Sequence, residues 1–214
     1  MIDIDKIYQI LKKNYLNYKT PVVELIQIQT KDPFKVLVAT MLSARTKDVT
    51  TSSICKRIFK RVNSIKDLEK VGIKELEKLI YPVGFYHQKA KHLKMWSPII
   101  KEKFNNQIPK TIDELTQLPG VGRKTANLVL ATAFNINAIC VDTHVHRICN
   151  RLGYVKTKTP FETEMALIKI LPKKYWISFN TYLVAFGQNH CRPISPKCST
   201  CEIYKECKRV PYGK

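Results

Sequence analysis

The stretch LPGVGRKTA, residues 118–126, constrains the fold more than any other part of the chain. Pro119, Gly120 and Gly122 fall between two runs whose apolar residues recur at helical spacing, so the backbone must reverse there in a tight turn. Residues 111–118 read as one short helix, opened by Thr111 with Glu114 three positions on, and RKTANLVLATAF, residues 123–134, reads as a second. The pair forms a helix-hairpin-helix. Lacking Cβ atoms, the glycines allow positive φ and let main-chain N–H groups approach an anion at the start of the second helix, which makes Gly120, Val121, Gly122 and Arg123 candidate phosphate contacts. A nucleotide-binding P-loop is excluded, because Arg123 separates the glycine from Lys124.

The same punctuation recurs along the chain. Asp32 with Pro33 precedes FKVLVATMLSA, and Thr159, Pro160 and Glu162 precede MALIKIL; these are N-caps, first-turn prolines and capping boxes. Alternation of period two is scarce, so the fold class is all-α. Lys and Arg number 37 against 17 Asp and Glu, a net charge of +20, which predicts a strongly basic surface and a polyanionic partner. The basic run KRIFKR, residues 56–61, reads as a solvated helix face. No apolar run reaches the ~18 residues of a membrane span. Seven cysteines, an odd number, without an export signal favour reduced thiols or metal ligands in a cytoplasmic protein, nucleoid-associated in a prokaryote.

Downstream, Asp142 precedes a helical run that ends near Gly153 and is itself a good N-cap. It has a second possible use. The helix from Arg123 is about 18 Å long, and the segment from Asn135 to Asp142 spans up to about 26 Å when extended. The chain can therefore bring a carboxylate back beside Lys124, giving a nucleophile with a charge partner at a phosphate-binding turn. His144 and His146 do not read as a metal pair, since residues two apart on a helix face different ways.

Cys191, Cys198, Cys201 and Cys207 crowd the C-terminal stretch CRPISPKCSTCEIYKEC. Thiols this closely spaced in a reducing compartment bind metal, and both tetrahedral zinc and a four-iron cluster accept four thiolates. Cys55, Cys140 and Cys149 sit among apolar residues and read as buried filler.

LPGVGRKTAN followed by VDTHVHRICNR, with this cysteine spacing behind it, resembles the endonuclease III family of DNA glycosylases from about Val22 to Cys207. The resemblance implies that Lys124 is a nucleophilic lysine and Asp142 a catalytic aspartate. Lys124 would attack C1′ of a flipped, damaged nucleotide, and the resulting Schiff base would permit strand nicking by β-elimination. Attack needs the neutral amine, which partial burial or cationic neighbours such as Arg123 must favour. The resemblance also implies a [4Fe–4S] cluster on the four cysteines, with Arg192 and Lys197 of its first loop facing DNA phosphates and His144 beside the DNA. Arg45 of LSARTKD and Phe85 of VGFYHQKA would fill the gap left by the flipped base. Many family members carry glutamine at the place of Arg45, which leaves opposite-base recognition open.

The implied protein is a monomeric bifunctional DNA glycosylase and apurinic/apyrimidinic lyase of base excision repair. It would act on oxidised pyrimidines or abasic sites in double-stranded DNA. Its expected lobes are residues 26–136, and residues 1–25 with 137–214, with DNA across a cleft and Lys124 and Asp142 at its mouth. A mismatch uracil or thymine glycosylase, suggested by Arg45, and a noncatalytic iron-sulfur DNA-binding module are the rival readings.

Overall fold

The computed structural model describes residues 2–18 and 21–211. Among these residues every regular element is helical: α1 (Ile4–Tyr15), α2 (Val22–Thr30), α3 (Pro33–Ser43), α4 (Asp48–Ile58), α5 (Ile65–Lys70), α6 (Ile73–Ile80), α7 (Tyr86–Phe104), α8 (Ile112–Leu115), α9 (Arg123–Phe134), α10 (Thr143–Leu152), α11 (Pro160–Ile170) and α12 (Trp176–Asn189). Single 3₁₀ turns lie at Lys173–Tyr175 and Cys198–Thr200. The chain divides into two compact units, Val22–Ile136, and Met1–Pro21 with Asn137–Lys214.

The Val22–Ile136 unit is built around α3. Asp32 caps it by accepting from the Phe34 amide at 2.9 Å, Pro33 opens its first turn, and Val36, Leu37, Val38, Ala39 and Leu42 are wholly buried. A helix buried on every face needs neighbours all round; α2 and α9 pack along it and α7 crosses it. Trp96, fully buried on α7, donates its indole N–H to the Pro119 carbonyl at 2.8 Å and so ties the hairpin to this core.

The second unit joins α1 to the C-terminal helices. Ile7, Val145, Leu167, Leu183 and Phe186 form its apolar centre, and Cys191, Cys201 and Cys207 pack against it. The α10–α12 approach is close: a Cβ on Gly187 would collide with His144 Nδ1, so only glycine lets the two helices meet there.

The net charge is not confined to the surface as composition predicted. Lys89 and Arg147 are buried, and with Lys94 and Arg57 they donate to carbonyls at helix ends. Lys94 takes the carbonyls of Leu68, Glu69 and Val71 at the end of α5. Arg57, expected to be simply solvated, takes those of Leu79 and Tyr81 at the end of α6. A buried helix terminus leaves carbonyls that need donors and carries a partial negative charge, and a long cationic side chain meets both needs.

A candidate DNA-repair site

The hairpin is built as its residues require. Thr111 accepts from the Glu114 amide at 3.2 Å and donates to the Glu114 carboxylate at 2.8 Å, a capping box that starts α8. The predicted first helix ends early, at Leu115, because the chain tightens into successive turns: the amide of Leu118 reaches the Leu115 carbonyl, and that of Val121 the Leu118 carbonyl. Gly120 sits at φ +78°, and a Cβ there would strike the His92 ring, so glycine is needed twice over.

Gly122 then serves as the N-cap of α9 with no side-chain cap, and nothing stands within 4 Å of where its Cβ would be. The capped helices α3, α8, α10 and α11 satisfy first-turn amides with Asp or Thr side chains. At α9 no side chain caps the helix start, and Arg123 and Lys124 there are exposed, an arrangement suited to a phosphate.

Asp142 is the N-cap of α10: Oδ1 accepts from the amides of His144 and Val145, both at 2.9 Å. Capping thus fixes the direction of a half-buried carboxylate on a rigid helix end. Two residues on, His144 Nδ1 lies 3.1 Å from Arg147 Nη2. A guanidinium only donates, so Nδ1 accepts and the neutral ring carries its proton on Nε2. Arg147 also donates to the carbonyls of Cys191, at 2.7 Å, and Gly187. One buried cation therefore links the helix that Asp142 starts to the first cysteine of the C-terminal loop. Sequence reading missed Arg147, and the one signal was an arginine among apolar positions of a helical run.

The four cysteines line one cavity of about 230 Å³, whose walls include Ile148, Leu152, Phe186 and Ile203 and whose rim carries Arg151, Lys197 and Arg209. Donors face the sulfurs: Arg151 Nη1 to Cys191 Sγ at 3.5 Å and the Arg209 amide to Cys207 Sγ at 3.4 Å. Burial pushes the Cys201 thiol up to about 11 and raises that of Cys207 as well; such thiols become thiolates on metal ligation. Among the described residues, no three His, Cys, Asp or Glu side chains converge closely enough to hold one metal ion. The donor set, the apolar walls and the cationic rim fit a larger, anionic group. Arg192 and Lys197 are exposed in the first loop, and Cys55, Cys140 and Cys149 are buried away from this cavity.

Arg45 and Phe85 come together in the Val22–Ile136 unit, with the guanidinium carbon 5.3 Å from the ring centre. Phe85 is 63% exposed and is not part of the core. Both residues hold left-handed backbones, at φ +56° and +60°, a conformation costing about 1 kcal/mol or more for a residue with a side chain. Backbone strain and an exposed aromatic thus coincide at one spot.

Residues 38–173 match the HhH-GPD superfamily base excision DNA repair protein family. The chain belongs to that family. The Endonuclease III of Thermotoga maritima is 46% identical over 83% of this chain and 83% of its own length. A non-covalent Endonuclease III–DNA complex superposes with a TM-score of 0.85 at 35% identity, covering 98% of this chain and 97% of that one. A trapped Endonuclease III–DNA covalent intermediate does so with 0.85 at 34%. Membership in the HhH-GPD superfamily agrees with the all-α fold and with a hairpin whose glycines leave the start of α9 bare. No helix among the described residues is long and apolar enough to cross a membrane.

Proposed function

We propose that the protein is a bifunctional DNA glycosylase and apurinic/apyrimidinic lyase that removes oxidised pyrimidines from duplex DNA and nicks the strand at the resulting site. The observation that carries this reading is Lys124, exposed in the first turn of α9 directly after a hairpin whose amides suit a backbone phosphate. A covalent enzyme–DNA intermediate trapped in a 34% identical relative supports it.

On this reading the hairpin amides hold the phosphate and the damaged nucleotide flips out of the stack, since its C1′ is unreachable within it. Attack requires the unprotonated amine of Lys124. The neutral amine attacks C1′ and the base departs with the bonding electrons; the C1′–O4′ bond then opens, O4′ taking a proton given up by the attacking nitrogen, and the protonated imine left on Lys124 acidifies the neighbouring C2′ proton so that β-elimination breaks the 3′ C–O bond. Asp142, held by two amides, stabilises the positive charge that develops at the sugar. Arg45 and Phe85 fill the vacated stack, and Arg192, Lys197 and His144 contact DNA from the other unit. The division into a hairpin unit and a cysteine unit is the functional one.

Cys191, Cys198, Cys201 and Cys207 would hold a [4Fe–4S] cluster, supported by four thiols around one cavity. The cluster would supply cross-linking of a short, loop-rich tail. A DNA substrate and thiols kept reduced suit a monomeric enzyme of the cytoplasm. Arg45 favours a second reading, a mismatch uracil or thymine glycosylase, which Lys124 opposes.

The decisive experiment is borohydride trapping on a duplex with one thymine glycol, comparing the protein with Lys124→Gln. An adduct formed only with Lys124 is expected. Base release from a uracil or thymine mismatch without any adduct would move the function to the second reading, and no activity on any lesion would leave DNA binding alone.

A further inference from the structure

Lys89 is not used by the chemistry above, yet it is the most deeply placed lysine near the DNA-facing turns: it is 7% exposed on α7. Its ammonium donates to the carbonyls of Leu42 at 2.9 Å and Ala44 at 2.6 Å, at the C-terminal end of α3. Its own amide donates to the Phe85 carbonyl at 3.0 Å. One residue therefore grips the carbonyl just before Arg45 and the carbonyl of Phe85.

The surroundings are cut to match. A Cβ on Gly84 would stand 2.8 Å from the Arg45 carbonyl oxygen, and the Gly84 amide donates to Thr46 Oγ1 at 3.3 Å. The two turns are thus in main-chain contact, and both central residues are strained. Strain of this kind persists only when neighbouring contacts over-determine it. Burial pulls the Lys89 ammonium down to about 8, while two carbonyl acceptors at a negative helix end hold it charged.

We propose that Lys89 is a positioning residue that fixes the spacing of Arg45 and Phe85, so that the pair is preformed to enter the gap beside a flipped nucleotide. This rests on the reading of Arg45 and Phe85 as the residues that fill that gap. A flexible pair would have to be ordered on binding, whereas a preformed one loses little entropy.

The test measures affinity for a duplex carrying one tetrahydrofuran abasic-site analogue against the same duplex intact, by fluorescence anisotropy, at a temperature where circular dichroism shows each protein folded. Lys89→Met keeps the aliphatic stem and removes the donors. It should lower discrimination for the abasic duplex about tenfold, on the scale of a lost stacking contact, with affinity for the intact duplex unchanged. In an Arg45→Ala, Phe85→Ala background the same change should have less than about a twofold further effect, as expected of residues acting as a unit. Should Lys89→Met not fold, Lys89→Leu, which also lacks a donor, carries the same comparison. Equal weakening on both duplexes, or a full additional loss in the double-alanine background, would overturn the assignment of Lys89 alone. Wild-type discrimination in the double-alanine protein itself would remove the gap-filling reading and this assignment with it.

Discussion

Asp142 caps α10, and one substitution can separate that job from the catalytic one proposed for it. As an N-cap it accepts two amides, and asparagine caps as well as aspartate does. Asp142→Asn should therefore change stability by less than about 0.5 kcal/mol while lowering base release by at least about a hundredfold. Asp142→Ala should lose about 1 kcal/mol as well. Urea melts beside single-turnover kinetics read both quantities, and an Asn variant of normal activity would reduce Asp142 to a cap. Gly120→Ala tests the hairpin in the same way. Strain at φ +78° and collision with His92 should cost about 1–3 kcal/mol and weaken DNA binding, whereas Gly122→Ala, with open space around it, should be far better tolerated in stability. The turn glycine Gly120 and the Asp142 cap were legible from residue order because each answers a local demand, while the proposed roles of Lys124 and Asp142 rest on the family resemblance. Arg147 and Lys89 were not, since an arginine or lysine in a helical run looks the same whether it points to water or to another helix's carbonyls.

At the scale of the element, cationic capping recurs, and its removal should be felt beyond charge. Lys94→Met leaves three carbonyls at the end of α5 without their donor and should destabilise the protein by about 1–3 kcal/mol in a denaturant melt. A surface lysine such as Lys74 should cost almost nothing. A second element-scale expectation concerns pH. His146 on α10 is buried against Thr163 and Asn150, and burial lowers it below the usual histidine value of 6.5. Below that value the unfolded chain binds a proton that the folded one resists, so stability falls as pH drops from about 6.5 through the folded value. Thermal melts from pH 7 to pH 5 should show a shallower decline in His146→Gln. An identical slope in both proteins would contradict it. Helix starts were predictable because caps act within four residues; the early end of α8 was not, since the turn after Leu115 is held by Trp96 from a different helix.

For the molecule as a whole, the cysteine tail packs on the core of one unit only, and the hairpin belongs to the other. Oxidative removal of bound metal should therefore lower the melting of the unit containing α10–α12 and bleach visible absorbance, while hydrogen-exchange protection of α3 and α9 persists. Colourless protein with one zinc per chain would replace the cluster by a zinc site. The excess of basic residues should make DNA affinity fall steeply with salt, a slope that Lys124→Gln changes by about one ion at most. Composition, caps and turn residues determined the helical class, the hairpin and the basic character, because those depend on neighbours along the chain and on summed charge. Tertiary structure alone decided that the cysteines share one cavity, that Arg45 meets Phe85, and that Lys89 and Arg147 are interior ties. The contacts of Arg45, Lys89 and Arg147 depend on which helix end lies beside which side chain, separations of some forty residues in sequence that no local pattern records.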